Sequence, residues 1–118
     1  MNNAKPFIIK RNDTLPALLI SIKTRGDLNE VIPFSLTGVS ACTFSMIDSC
    51  GSLKVSSANA QIVLASGGTL QYNWSTEDTD TDGKFTGEFE LFFNGGAKMS
   101  VPTLGAIDIH VIKDINGS

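Results

Sequence analysis

A β-sandwich or barrel of eight or nine short strands is the fold this sequence predicts, on three observations. Apolar residues recur with period two almost everywhere, the spacing of a strand with one buried face. Turn residues break these runs at short intervals: "RGD" at Arg25 to Asp27, "GG" at Gly67 and Gly68, "NGG" at Asn94 to Gly96. No window supports an amphipathic helix longer than one or two turns. Many short strands separated by turns are the mark of all-β architectures.

The first expected strand, Phe7 to Lys10, is short and apolar. Leu18, Ile20 and Ile22 alternate with Leu19, Ser21 and Lys23 in the second. Val39 to Ile47, Leu53 to Ser56 and Gln61 to Ala65 are read as three more. Leu70, Tyr72 and Trp74 alternate with Gln71 and Asn73. The clearest run places Phe85, Gly87, Phe89, Leu91 and Phe93 on one face, with Thr86, Glu88 and Glu90 on the other. Lys98 to Val101 follows "NGG", where Asn-Gly predicts a tight hairpin with positive φ at both residues. Ile107, Ile109 and Val111 close the pattern against Asp108 and His110. The expected core is Phe7, Ile20, Ile22, Phe44, Tyr72, Trp74, Phe85, Phe89, Leu91, Ile107 and Ile109.

The 118 residues, 42% of them hydrophobic, suit one domain over 1–118, with 1–5 read as a flexible arm and 114–118 as a flexible tail. A net charge of −3 with scattered cations argues against nucleic acid, which calls for a basic stripe. The longest aliphatic run, "ALLI" at Ala17 to Ile20, is far short of the roughly 20 residues that span a bilayer, so no membrane partner is expected. The N-terminus lacks the apolar h-region of a signal peptide, which predicts a chain made in a cytoplasm and not exported by that route. Cys42 and Cys50 have neither metal-site spacing nor histidine partners, and two buried free thiols are expected ahead of a disulfide across a turn.

The acidic stretch "EDTDTDGKFTGEFE", Glu77 to Glu90, invites a calcium reading, because Asp78, Asp80, Asp82 and Gly83 match the first half of an EF-hand loop. Its bidentate acid would fall at position 89, which is Phe89, and the flanks read as strand. Local turn chemistry accounts for the run better. Ser75 can cap a single helical turn with Asp78 as the capping-box acid, and Asp82-Gly83 turns the chain into the next strand. A weak cation site at Asp78, Asp80 and Asp82 is the disfavoured alternative; no metal or cofactor is expected.

His110 is the lone histidine, placed by parity on a solvated face beside Asp108. No GxSxG elbow, phosphate loop or dinucleotide fingerprint occurs, and no catalytic residue is assigned. "RGD" is read as hairpin chemistry. "NWS" at Asn73 to Ser75 matches a glycosylation sequon, which means nothing in a chain that is not secreted.

Four segments carry a resemblance. "FIIKRNDTLPALLISI" (Phe7 to Ile22) resembles the opening of the N-terminal domain of tailed-phage baseplate upper proteins, where Asn-Asp-Thr or Gly-Asp-Thr and then Pro lead into a strand. "FSLTGVSACTFSMID" (Phe34 to Asp48) is similar to that family's Leu-Thr-Gly step into a strand ending in Phe-x-Met. "GTLQYNWSTEDTDTDGKFTGEFELFF" (Gly68 to Phe93) is the most specific part, with aromatic-x-Trp, a short turn, Asp-Thr, then Gly-x-aromatic and Glu-Phe. "VPTLGAIDIHVI" (Val101 to Ile112) resembles the closing Pro and final strand.

The resemblance implies an Ig-like antiparallel β-sandwich in a tailed-phage virion, assembled in the host bacterial cytoplasm. In that family the domain leads a longer protein carrying receptor-binding parts, whereas here the sequence stops after the closing strand. A stand-alone copy is therefore expected: a non-enzymatic adaptor or decoration subunit at baseplate, tail, neck or capsid. Its expected partners are other phage structural proteins in a symmetric assembly, or copies of itself. A carbohydrate- or ligand-binding sandwich is the rival reading; it needs an exposed aromatic platform, for which Phe92 is the main candidate.

Overall fold

The computed structural model describes residues 5–102 and 106–115. It is an all-β, Ig-like sandwich with ten strands: β1 (Phe7–Lys10), β2 (Leu18–Ser21), β3 (Lys23–Arg25), β4 (Val31–Pro33), β5 (Val39–Asp48), β6 (Leu53–Leu64), β7 (Thr69–Tyr72), β8 (Gly83–Phe93), β9 (Lys98–Val101) and β10 (Ile107–Ile112). A 3-10 turn at Thr76–Thr79 is the one helical element among the described residues. The expected arm and tail lie outside the described residues, apart from Lys5, Asp114 and Ile115.

The strands run β1-β10-β8-β5-β6-β7-β2 around the molecule, with β9 also on β8 and β3-β4 forming a separate hairpin. The expected strands Leu53 to Ser56 and Gln61 to Ala65 are one strand, β6. Its first part pairs with β5 and its second with β7, so it passes from one sheet to the other. A bulge where the register slips between Phe44 and Met46, with Ser57 at φ 49°, accompanies the crossing. The pairing is antiparallel throughout except for β1 on β10, which is parallel. β9 and β10 lie in line along one edge of β8.

Alternation decides what enters the core. Phe7, Ile109 and Phe85 share one inward row. Phe44, Phe89 and Val101 share another, and Cys42, Leu91 and Met99 a third. From the opposite sheet come Leu18 with Tyr72, and Ile20 with Leu70 and Ile62. Of the expected core, Phe44, Tyr72, Trp74, Phe85, Phe89, Leu91 and Ile109 are buried. Phe7, Ile20, Ile22 and Ile107 are half-buried and pack against them. Ile9, Leu18, Leu36, Met46, Val55, Leu70, Val101 and Val111 are buried as well.

Phe44 is the hub. Its ring stacks on Tyr72 at 4.6 Å, meets Trp74 edge-on at 5.7 Å and lies tilted on Phe89 at 5.1 Å. Trp74 in turn stacks on Phe7 at 5.8 Å. Such pairs each add about 0.5–1.5 kcal/mol beyond their burial, and these join both sheets. Gly87 makes room for the hub: a Cβ there would stand 2.7 Å from the Phe44 ring and 3.0 Å from Ile109 Cδ1. Gly68, at φ 67°, is constrained by backbone instead, since a Cβ would sit 2.6 Å from the carbonyl oxygens of Ile22 and Phe34.

The turns correct two expectations. Positive φ in the β8–β9 turn falls on Gly95 and Gly96, not on Asn94, because Phe93 N–H reaches Ala97 O across a longer loop. Cys42 is buried and unbonded as expected, but Cys50 is exposed, because it sits at the tip of the tight Asp48–Ser52 turn.

Two substitutions test the hub in chemical denaturation. Trp74→Ala is expected to cost about 3–5 kcal/mol. Gly87→Ala is expected to cost about 1–3 kcal/mol through overpacking; an unchanged midpoint would remove Phe44 from its place over Gly87.

Candidate functional site

The acidic run forms no cation cage, because its carboxylates diverge to separate partners. Asp78 is buried: its Oδ2 accepts the Tyr72 hydroxyl at 2.5 Å and the Ser75 N–H at 2.9 Å, the second being the capping-box contact expected of it. Asp80 takes the Lys54 ammonium of β6. Asp82 takes Arg11, just past β1, at 3.2 Å. The Lys54 ammonium, and secondly the Thr81 hydroxyl, hold the Asp80 carboxyl below the usual carboxylate range. Thr79 completes the fastening: it is buried, its hydroxyl donates to Asp13 O at 2.8 Å, and its carbonyl accepts Asn12 N–H. The run is therefore a clasp between β1, β6 and the core. Among the described residues no group of three His, Cys, Asp or Glu gathers to hold a metal.

Tyr72 carries the link from clasp to core, and sequence reading missed it because six residues separate the ring from Asp78 in an irregular segment. Burial chiefly, and the Asp78 carboxylate after it, push the Tyr72 hydroxyl above its ordinary range. Trp74 Nε1 is buried without a hydrogen-bond partner. Burial also raises the Cys42 thiol.

His110 is half-buried, more enclosed than expected, beside a shallow depression with Asp108, Lys84 and Asp48. Phe92 is half-buried between Ala41 and Lys98, and none of the nine aromatic residues is exposed. The ligand-binding reading thus finds no aromatic platform. The Arg25-Gly26-Asp27 segment starts the β3–β4 turn, where Gly26 N–H donates to Glu30 O.

The surface feature that stands out is the open side of the sandwich. The strand path ends at β1 in one sheet and β2 in the other. Between them lies a groove of about 680 Å³, lined largely by apolar residues such as Pro6, Phe7, Ile20 and Ile107. Antiparallel geometry turns the Leu18, Ile20 and Ile22 main chain toward β7, as Ile22 N–H on Gly68 O shows, and leaves that of Leu19 and Ser21 facing outward. Beyond β2 the β3–β4 hairpin has all six strand residues exposed, and Leu28 at its turn is 89% exposed. A two-stranded hairpin has little stability of its own in water.

No family model and no curated protein matches this chain. A solved structure, CopC from Methylosinus trichosporium OB3b, is similar with a TM-score of 0.51 and 13% identity, over 93% of this chain and 86% of that one. At that identity the likeness shows the shared β-sandwich fold alone. Among the described residues no helix is long and apolar enough to cross a membrane.

Four outcomes check the clasp and the two thiols. EDTA is expected to leave the melting temperature unchanged. Tyr72→Phe is expected to cost about 1–2 kcal/mol at neutral pH. Because folding raises the Tyr72 pKa, its contribution is complete below the unfolded value near 10 and is lost as pH climbs above it; the alkaline fall in stability is expected to be shallower in Tyr72→Phe. Thiol titration of native protein is expected to count Cys50 alone, with Cys42 reacting after denaturation.

Proposed function

We propose that this chain is a non-enzymatic structural protein of a tailed-phage virion, docking in many copies on a baseplate, tail or neck ring or on the capsid lattice. The observation that carries the proposal is the uncovered side of the sandwich: an open β2 edge, an apolar groove beside it and a projecting hairpin with Leu28, Val31 and Ile32 exposed. Open strand edges are templates for pairing with another chain, and exposed apolar side chains lower the free energy of a surface that another protein covers. In a symmetric assembly one modest interface is repeated many times. The baseplate-upper-protein resemblance, spread from Phe7 to Ile112, supports the virion setting.

Immunogold electron microscopy of purified particles, with antibody against this chain, tests the proposal. Label at the tail tip, neck or capsid is the expected result. Unlabelled particles with the antigen confined to the soluble lysate would overturn it.

A further inference from the structure

We propose that β2 is a homotypic pairing edge, through which two copies of this chain join antiparallel, β2 to β2, about a two-fold axis at Ile20. The other open edges carry devices that discourage pairing. β1 is flanked by Pro6 and by Lys10 and Arg11, β9 begins with Lys98, and the edge part of β6 carries Lys54 and the Ser57 bulge. Charges, prolines and bulges are how natural sheets protect their edges. β2, "LLIS", has no charge, proline or bulge within its four residues, with Pro16 and Lys23 lying just outside them.

Parity selects one register. The outward main-chain groups of Leu19 meet those of Ser21 of the second copy, and the reverse, making four hydrogen bonds around the axis. Ile20 then faces Ile20, and Leu18 faces Ile22, so the inward apolar row stays inward. A slip of one residue would turn that row to water. Lys23 falls opposite Ala17, so no like charges meet across the pair. The added strand extends its sheet over the groove and covers Phe7 and Ile107, apolar side chains that now border it. The result is a closed, isologous dimer with a six-stranded sheet across the junction.

The inference deepens the docking role proposed above, but mass in solution scores it separately from particle labelling, so either can fail alone. Sedimentation equilibrium over a concentration series is expected to show a species of about twice 12.6 kDa. The double variant Leu19→Lys/Ser21→Lys is expected to be a monomer with an unchanged circular-dichroism melt, since both residues are exposed. Ile8→Lys, an equally exposed position on β1, is expected to keep the dimer. If the double variant melts early, Ser21→Pro decides: it removes one outward donor, adds no charge and leaves the β7 ladder intact. A wild-type monomer at every concentration overturns the proposal, and so does a dimer that survives the β2 variants.

Discussion

The packing of Phe44 against Gly87 is the constraint on which the rest of the structure depends. Phe44 belongs to one sheet and reaches Tyr72 of the other, while Trp74 bridges both to Phe7 on the edge strand. A ring can lie that low over β8 only where its neighbour has no side chain. Removing bulk at one position thus sets how closely the two layers approach. The aromatic cluster then holds strands from both halves of the chain, which is how a sandwich with few helical or covalent supports stays closed on three sides.

The polar clasp depends on the same cluster. Tyr72 presents its ring to Phe44 and its hydroxyl to Asp78, so one side chain couples the core to the turn after β7. From that turn Thr79, Asp80 and Asp82 reach the end of β1 and the start of β6. Asp80 and Asp82 are exposed enough that their ion pairs contribute little individually. Their role is geometric: Asp82 ties the turn to the end of β1 through Arg11, and Asp80 ties it to the start of β6 through Lys54.

The fourth side is left uncovered, and it is there that the proposed docking would act. The β2 edge and the hairpin follow one another in the chain from Leu18 to Pro33, and the groove beside them is walled from both ends of the sequence, by Phe7 and Ile20 on one part and by Ile107 on another. An uncharged edge beside an apolar groove offers main-chain bonds for affinity and side-chain rows for register. That is the chemistry of docking, and it accords with the virion role proposed for the chain.

Period-two alternation was enough to place most strands and the inward rows, because each half-buried strand writes its own burial into its side chains. It placed Phe85, Phe89, Leu91 and Ile109 correctly, and the failed position 89 was enough to set aside the EF-hand. Alternation says nothing about which strands neighbour one another. It therefore could not show that β6 changes sheets, that β1 runs parallel to β10, or that Leu36 and Val101 are fully enclosed. The turn at Arg25 to Asp27 was read as hairpin chemistry, but the strands β3 and β4 beside it escaped notice because a strand exposed on both faces carries no apolar period. The sequence by itself determined the fold class, the main inward faces and the capping turn at Ser75, all of which are local in their physics. The partners of Asp78, Asp80 and Asp82, the burial of Cys42 against the exposure of Cys50, and the open side between β1 and β2 were decided only by tertiary structure. Each depends on residues far apart in the chain that meet when the sheets close.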